Sequence, residues 1–156
     1  MMRKIVSNSH RVLGAESMRT MTEPSLQVPV VDEVDVLVVG GGPAGLVAAV
    51  AAARTGARTA LVERYGFLGG MATAALVGPL AGVRHRYGGG RIVGGIAWEL
   101  ILRLQQHGGA LIDRGYGDVP FDPEVLKWVA DGLAQEAGVR LRYHSFACQV
   151  IKDGDR

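Results

Sequence analysis

The run Gly40-Gly41-Gly42-Pro43-Ala44-Gly45 has the spacing Gly-x-Gly-x-x-Gly, in which the main chain does the chemistry. Gly40 admits a tight turn, Gly42 lets the backbone approach a pyrophosphate, and Gly45 lets a following helix lie close on the preceding strand. The first amides and the dipole of that helix favour phosphate. Glu63 stands 23 residues after Gly40, where an acidic side chain accepts hydrogen bonds from an adenosine ribose. A glycine pattern alone would carry little, and its plain alternative is a turn and a strand-end Glu with no ligand. The carboxylate at this distance makes nucleotide binding the stronger reading. Because Glu63 would repel a 2′-phosphate and take its space, NADP is disfavoured despite the adjacent Arg64, leaving FAD or NAD.

These residues need a βαβ frame to hold them. Val36, Leu37, Val38 and Val39 predict a strand over residues 35–39, a continuous apolar run of the kind buried on both faces of a parallel sheet. A helix should follow from Pro43 to about Thr55. Ala48, Ala49, Ala51, Ala52 and Ala53 would provide small side chains for close packing, and Gly56 would end it. Residues 58–62 predict the second strand, with Glu63 at its end. Residues 34–53 are apolar enough to suggest a membrane span. Asp35, the three glycines and Pro43 would leave backbone groups unsatisfied in lipid, so no membrane partner is expected.

A second glycine turn follows in Glu63-Arg64-Tyr65-Gly66-Phe67-Leu68-Gly69-Gly70-Met71-Ala72-Thr73. A plain NAD domain would usually proceed to another helix here, whereas FAD is longer and must be held along its pyrophosphate and ribityl chain. At this stretch the sequence resembles the FAD-dependent oxidoreductases of the glutathione-reductase-like superfamily, and more narrowly the relatives of the fumarate-reductase flavoproteins. The resemblance covers about residues 28 to 154. It implies FAD as cofactor, with Gly40, Gly42, Pro43, Ala44 and Gly45 at the pyrophosphate and Glu63 and Arg64 at the ribose and adenine edge. Gly69, Gly70, Met71, Ala72 and Thr73 would run along the pyrophosphate toward the flavin, and Ala147 would give backbone bonds to adenine. For Met71 and Thr73 the plain alternative is a helix start packed on the core; for Phe146, Ala147 and Cys148 it is sheet core.

The rest reads as scaffold. Ile96, Ala97, Leu100, Ile101 and Leu104 repeat at helical spacing up to Gly108. Asp122 can cap a helix beginning at Pro123, whose stripe is Leu126, Val129, Ala130, Leu133 and Ala137. Val139, Leu141 and Tyr143 alternate with Arg140, Arg142 and His144 as a half-buried strand. Between the blocks, residues 82–91 form a loop carrying Arg84, His85, Arg86 and Arg91. It faces either an anionic substrate or only solvent, and His85 lacks any partner pattern for a metal or acid–base role.

With 48% apolar and 21% charged residues the composition is globular, and a net charge of +2 gives no ground for a nucleic-acid partner. The 23 glycines are about twice the usual share. A single cysteine, Cys148, excludes an internal disulfide or a Cys-x-x-Cys pair, so redox chemistry must come from a bound cofactor. No metal site is assigned, and a reducing, cytoplasmic compartment is expected. Residues 1–30 read as a lead-in without the apolar run of a secretory signal, and residues 31–156 as the FAD-binding domain.

Residues 145–151 predict a last strand and Asp153-Gly154 a hairpin turn with no returning strand after it. The expected fold class is therefore α/β: a Rossmann-like βαβ FAD/NAD(P)-binding domain with a parallel sheet and helical insertion, incomplete at its C-terminus. The expected function is the FAD-binding portion of a flavin-dependent oxidoreductase whose flavin accepts hydride from a small-molecule substrate. The chain by itself is expected to be inactive, completed by a homo-oligomer or by a missing C-terminal portion. Catalytic residues are not assigned. Two alternatives stand beside it: an NAD-binding dehydrogenase domain, and a non-catalytic nucleotide-binding module acting with a partner chain.

Overall fold

A computed structural model describes residues 27–85, 87, 90–112 and 117–151. The chain divides into two units, Met1–Val31 and Asp32–Arg156. Of the first, only residues 27–31 are described, and they are irregular and exposed. Everything below concerns the second.

The glycine-bearing half folds as β1 (Val36–Val39), α1 (Pro43–Arg54) and β2 (Thr59–Val62). Two further helices, α2 (Gly95–Gln106) and α3 (Pro123–Glu136), precede β3 (Arg140–Arg142). The sheet order is β1-β2-β3 and both pairings are parallel, with Val38 beside Leu61 and Leu61 beside Leu141. Helix α1 packs on β1 and β2, α3 on β3 and α1, and α2 on both helices. Leu46, Ala49 and Val50 of α1 meet Leu61, Leu104, Val129, Ala130 and Leu133 in one buried cluster. Glu99 accepts hydrogen bonds from Arg54 and Arg103, and Arg103 also pairs with Glu136, joining the three helices at their surface.

Strand β1 departs from the expectation of burial on both faces. Val36 and Val38 turn toward α1, but Leu37 is 58% exposed and Val39 59%. Among the described residues the helices in contact with the sheet lie on one side and β1 has a single strand neighbour, so alternate residues of its apolar run face outward. The alanine-rich face of α1 is likewise narrower than expected: Ala49 is buried, whereas Ala48 and Ala51 are exposed.

The expected strand over residues 145–151 is absent. His144 adopts φ +51°, which breaks the extended path after β3. The amides that would have continued a ladder go to the loop after β2, from His144 to the Tyr65 carbonyl and from Ser145 to that of Glu63. Phe146, Ala147 and Cys148 are exposed, so none is sheet core. The Asp153-Gly154 turn lies outside the described residues.

In the expected loop between the blocks, Arg84 and Arg91 face each other in an antiparallel bridge, and Leu80 pairs with Val119. Arg86, Gly88 and Gly89 are outside the described residues. No helix among the described residues is long and apolar enough to cross a membrane.

Candidate functional site

Gly40 and Glu63 lie at the carboxyl ends of adjacent parallel strands, where open α/β sheets bind ligands. The Gly40 amide donates to the Val62 carbonyl at 2.8 Å and the Glu63 amide to that of Arg142 at 2.9 Å, so both turns leave the sheet from fixed points. Gly40 takes φ +98°, the left-handed conformation that glycine adopts without cost.

The two glycine turns touch. The Gly69 amide donates to the Gly41 carbonyl at 2.8 Å, and a Cβ at Gly70 would stand 2.8 Å from the Gly42 Cα. Gly45 is required by the fold, because a Cβ there would overlap the Gly40 carbonyl oxygen. Gly42 is different. Its φ of −66° suits any residue, and the nearest heavy atom to its hypothetical Cβ is 4.0 Å away. The fold alone has no need of glycine at this position, so the space it keeps open fits a ligand close to the main chain.

Around that space the amides of Gly42, Ala44, Gly45, Gly70 and Met71 donate to no acceptor among the described residues. Helix α1 starts at Pro43 with no side-chain cap and no acid in its first turn. Its positive end is therefore uncompensated. A pyrophosphate is the kind of group such an array would hold.

Glu63 is 6% exposed, and both its oxygens are engaged. Oε2 accepts from the Gly41 amide at 2.6 Å and Oε1 from the Tyr65 amide at 2.9 Å. A carboxylate has about four acceptor positions, so two remain for ribose hydroxyls. Glu63 thus also braces the first glycine turn, a role that the ribose reading missed.

The cleft is lined by Gly42, Pro43, Glu63, Arg64, Tyr65, Gly70, Met71, Ala74 and Ala75, with a volume of about 360 Å³. A larger depression of about 490 Å³ lies between residues 108–111 and 120–123. Size does not mark the site, because Asp122 in the larger depression spends its carboxylate on the amides of Glu124 and Val125.

Of the residues expected from sequence, Gly42, Pro43, Glu63, Arg64, Gly70 and Met71 line the cleft, and Gly40, Ala44, Gly45 and Gly69 form the turns behind it. Ala72 and Thr73 do not reach it. Both are buried, and the Thr73 hydroxyl donates to the Leu68 carbonyl at 2.8 Å. Ala147 sits outside the cleft lining, two residues beyond the last backbone tie to the Glu63 loop. Met71 is 64% exposed.

Sequence reasoning also missed a stack beside Glu63. The Arg64 guanidinium lies 4.6 Å over the Tyr65 ring and donates to its hydroxyl; Tyr65 stacks on Phe67 at 5.5 Å; the Lys127 ammonium of α3 lies 4.2 Å from the Phe67 ring. The i, i+2 spacing of Tyr65 and Phe67 was the available signal. Among the described residues no three His, Cys, Asp or Glu side chains gather as a metal site.

The family of FAD dependent oxidoreductases matches residues 35–156, and the chain belongs to it. FAD is accordingly the cofactor, and the open amide array with its neighbouring carboxylate fits it. Among curated relatives, dihydrolipoyl dehydrogenase of Trypanosoma brucei brucei is 57% identical over 42 residues, 27% of this chain and 9% of that protein. The 6-methylpretetramide 4-monooxygenase of Streptomyces rimosus is 38% identical over 97 residues, 55% of this chain and 21% of that one. The chain thus spans a small part of these relatives. THI4 of Thermovibrio ammonificans is 28% identical with a TM-score of 0.47, over 70% of this chain and 38% of that one. The Diels-Alderase PyrE3 of pyrroindomycin biosynthesis, 17% identical with a TM-score of 0.52 over 77% of this chain and 27% of that one, shares the fold.

Proposed function

We propose that residues 31–156 are the FAD-binding portion of an oxidoreductase that takes hydride from a small-molecule substrate, within the glutathione-reductase-like superfamily and near the fumarate-reductase flavoproteins. The carrying observation is the set of five amides without acceptors among the described residues, beside a glycine, Gly42, that the fold does not itself require. Bound FAD supplies the redox chemistry, as cofactors generally do, while the protein orients it.

In this reading the amides of Gly42, Ala44, Gly45, Gly70 and Met71 hold the pyrophosphate. Glu63 accepts the ribose hydroxyls with its remaining lone pairs, and Arg64, steadied on Tyr65, stands at the adenine edge. Met71 points the way toward the flavin, and the backbone near Ala147 closes on adenine. Ala72 and Thr73 support the second turn from within the core. The substrate half of the reaction, and tight closure around the flavin, would come from a further portion of the polypeptide or from a second copy, with the protein in the cytoplasm.

The test is flavin retention read from the visible absorption spectrum. Gly42→Val should abolish it with the far-UV circular dichroism unchanged. Glu63→Gln should weaken FAD by roughly 1.5 to 3 kcal/mol, the range for hydrogen bonds to a charged group. Equal flavin content in parent and Gly42→Val would overturn the assignment.

A further inference from the structure

The arginines among the described residues fall into two groups. Arg54 and Arg103 donate to Glu99, Arg58 to Asp35, Arg64 to the Tyr65 hydroxyl, and Arg140 and Arg142 to Asp32. Arg84 and Arg91 make no side-chain hydrogen bond or ion pair among the described residues. They are also the two that stand directly opposite each other, in the antiparallel bridge between residues 84 and 91. Opposed residues of such a bridge present their side chains on one face, with Cβ atoms about 5 Å apart, and like charges placed this way are destabilising.

Neither guanidinium is free to swing away. The Arg84 Nε is buried and has no hydrogen-bond partner among the described residues. The Arg91 guanidinium lies 4.7 Å over the ring of Trp98, in the first turn of α2. The arms that carry them are fixed. Val83 is a core residue, 2% exposed; its amide and that of Arg84 donate to the Gly117 carbonyl, and its own carbonyl accepts from Ile92 and Val93. The His85 amide closes the hairpin onto the Gly90 carbonyl. Two positive side chains, one with a buried unmet donor, thus leave opposed positions on a hydrogen-bonded base, and an acceptor with negative charge is what the arrangement lacks.

We propose that Arg84 and Arg91 form an oxyanion-binding pair that recognises a carboxylate or phosphate group on the protein's small-molecule ligand. Calling that ligand a substrate rests on the flavin reading above; binding of the anion does not. Guanidinium pairs suit either a planar or a tetrahedral oxyanion, because each presents a fork of parallel donors.

The full chain is titrated with succinate and, separately, inorganic phosphate at constant ionic strength set by chloride, following heat and tryptophan fluorescence. Saturable binding that perturbs Trp98 is expected, and which probe saturates separates a carboxylate ligand from a phosphorylated one. Arg84→Met and Arg91→Met should each weaken binding by about tenfold or more, the equivalent of one charge-assisted contact. Removing one of two unmet like charges should leave the melting temperature of the anion-free chain equal or higher, whereas a merely structural arginine would lower it. Should Arg84→Met fold poorly, Arg91→Met and the milder Arg91→Lys carry the test. The proposal is overturned if neither probe saturates, if chloride competes equally, or if binding survives the substitutions. The flavin spectrum of the parent, recorded on the same sample, tests the FAD reading separately, so either can fail without the other.

Discussion

Helices α1 and α3 start in the same way and end up with different chemistry. Each has proline in its first turn and a preceding residue in extended conformation. At α3 that residue is Asp122, whose Oδ1 accepts from the amides of Glu124 at 2.8 Å and Val125 at 3.3 Å. At α1 it is Gly42, and the amides of Ala44 and Gly45 have no acceptor among the described residues. The closed helix end belongs to the scaffold. The open one, facing Glu63 and the second glycine turn, is the end to which the proposed function assigns an external anion.

The largest effect is expected at Gly45. Gly45→Val places a side chain against the Gly40 carbonyl and Val38, so it should cost about 3 kcal/mol or more and lower the thermal midpoint steeply, whether or not flavin is present. If Gly45→Val melts like the parent, the glycine turn is looser than the contact with Gly40 implies.

Exchanging the caps of α1 and α3 should have smaller effects. Asp122→Ala should destabilise the chain by about 1 kcal/mol in denaturant titration while leaving flavin content unchanged. Gly42→Asp should do the reverse. Its backbone already has cap geometry and there is room for a Cβ, so the flavin-free chain should gain a few tenths of a kcal/mol as α1 acquires its own acceptor, and FAD should be lost. A stabilised Gly42→Asp that keeps its flavin would contradict the idea that the open end of α1 holds phosphate.

The smallest effect lies at the opposite end of β1. Hydrogen bonds from the Arg58 side chain and amide lower the Asp35 carboxyl from 3.8 to about 2. A depressed acid stabilises the fold above its unfolded pKa and loses that contribution as the pH falls through the folded one. The pair is exposed, so the contribution is small. The melting-temperature difference between parent and Asp35→Asn should be constant near neutral pH and shrink as the pH falls from 3.8 toward 2, with flavin binding at neutral pH unaffected. A difference that persists at the lowest pH would assign it to something other than this ion pair.

Much of the site was readable because a main-chain site leaves its record in glycine spacing. Gly40, Gly42 and Gly45 each answer to a separate steric demand, and Glu63 follows at the length of one βαβ unit. The helices were equally legible, since the stripes of α2 and α3 and the Asp122-Pro123 cap are local patterns. Residues 145–151 were misread for the converse reason. An apolar stretch describes a strand only if a neighbour offers a ladder, and here the Tyr65 and Glu63 carbonyls draw the amides of His144 and Ser145 away.

By itself, then, the sequence determined the βαβ unit and its glycine turns, because those depend on contacts within a few turns of chain, and the resemblance those turns carry pointed to FAD. Tertiary structure decided that the Gly41 amide closes on Glu63, that Gly70 abuts Gly42, that Thr73 turns into the core, and that Arg84 stands opposite Arg91. Each of these joins positions whose separation no periodicity encodes, and packing of the sheet, helices and intervening loops fixes which side chains share a space.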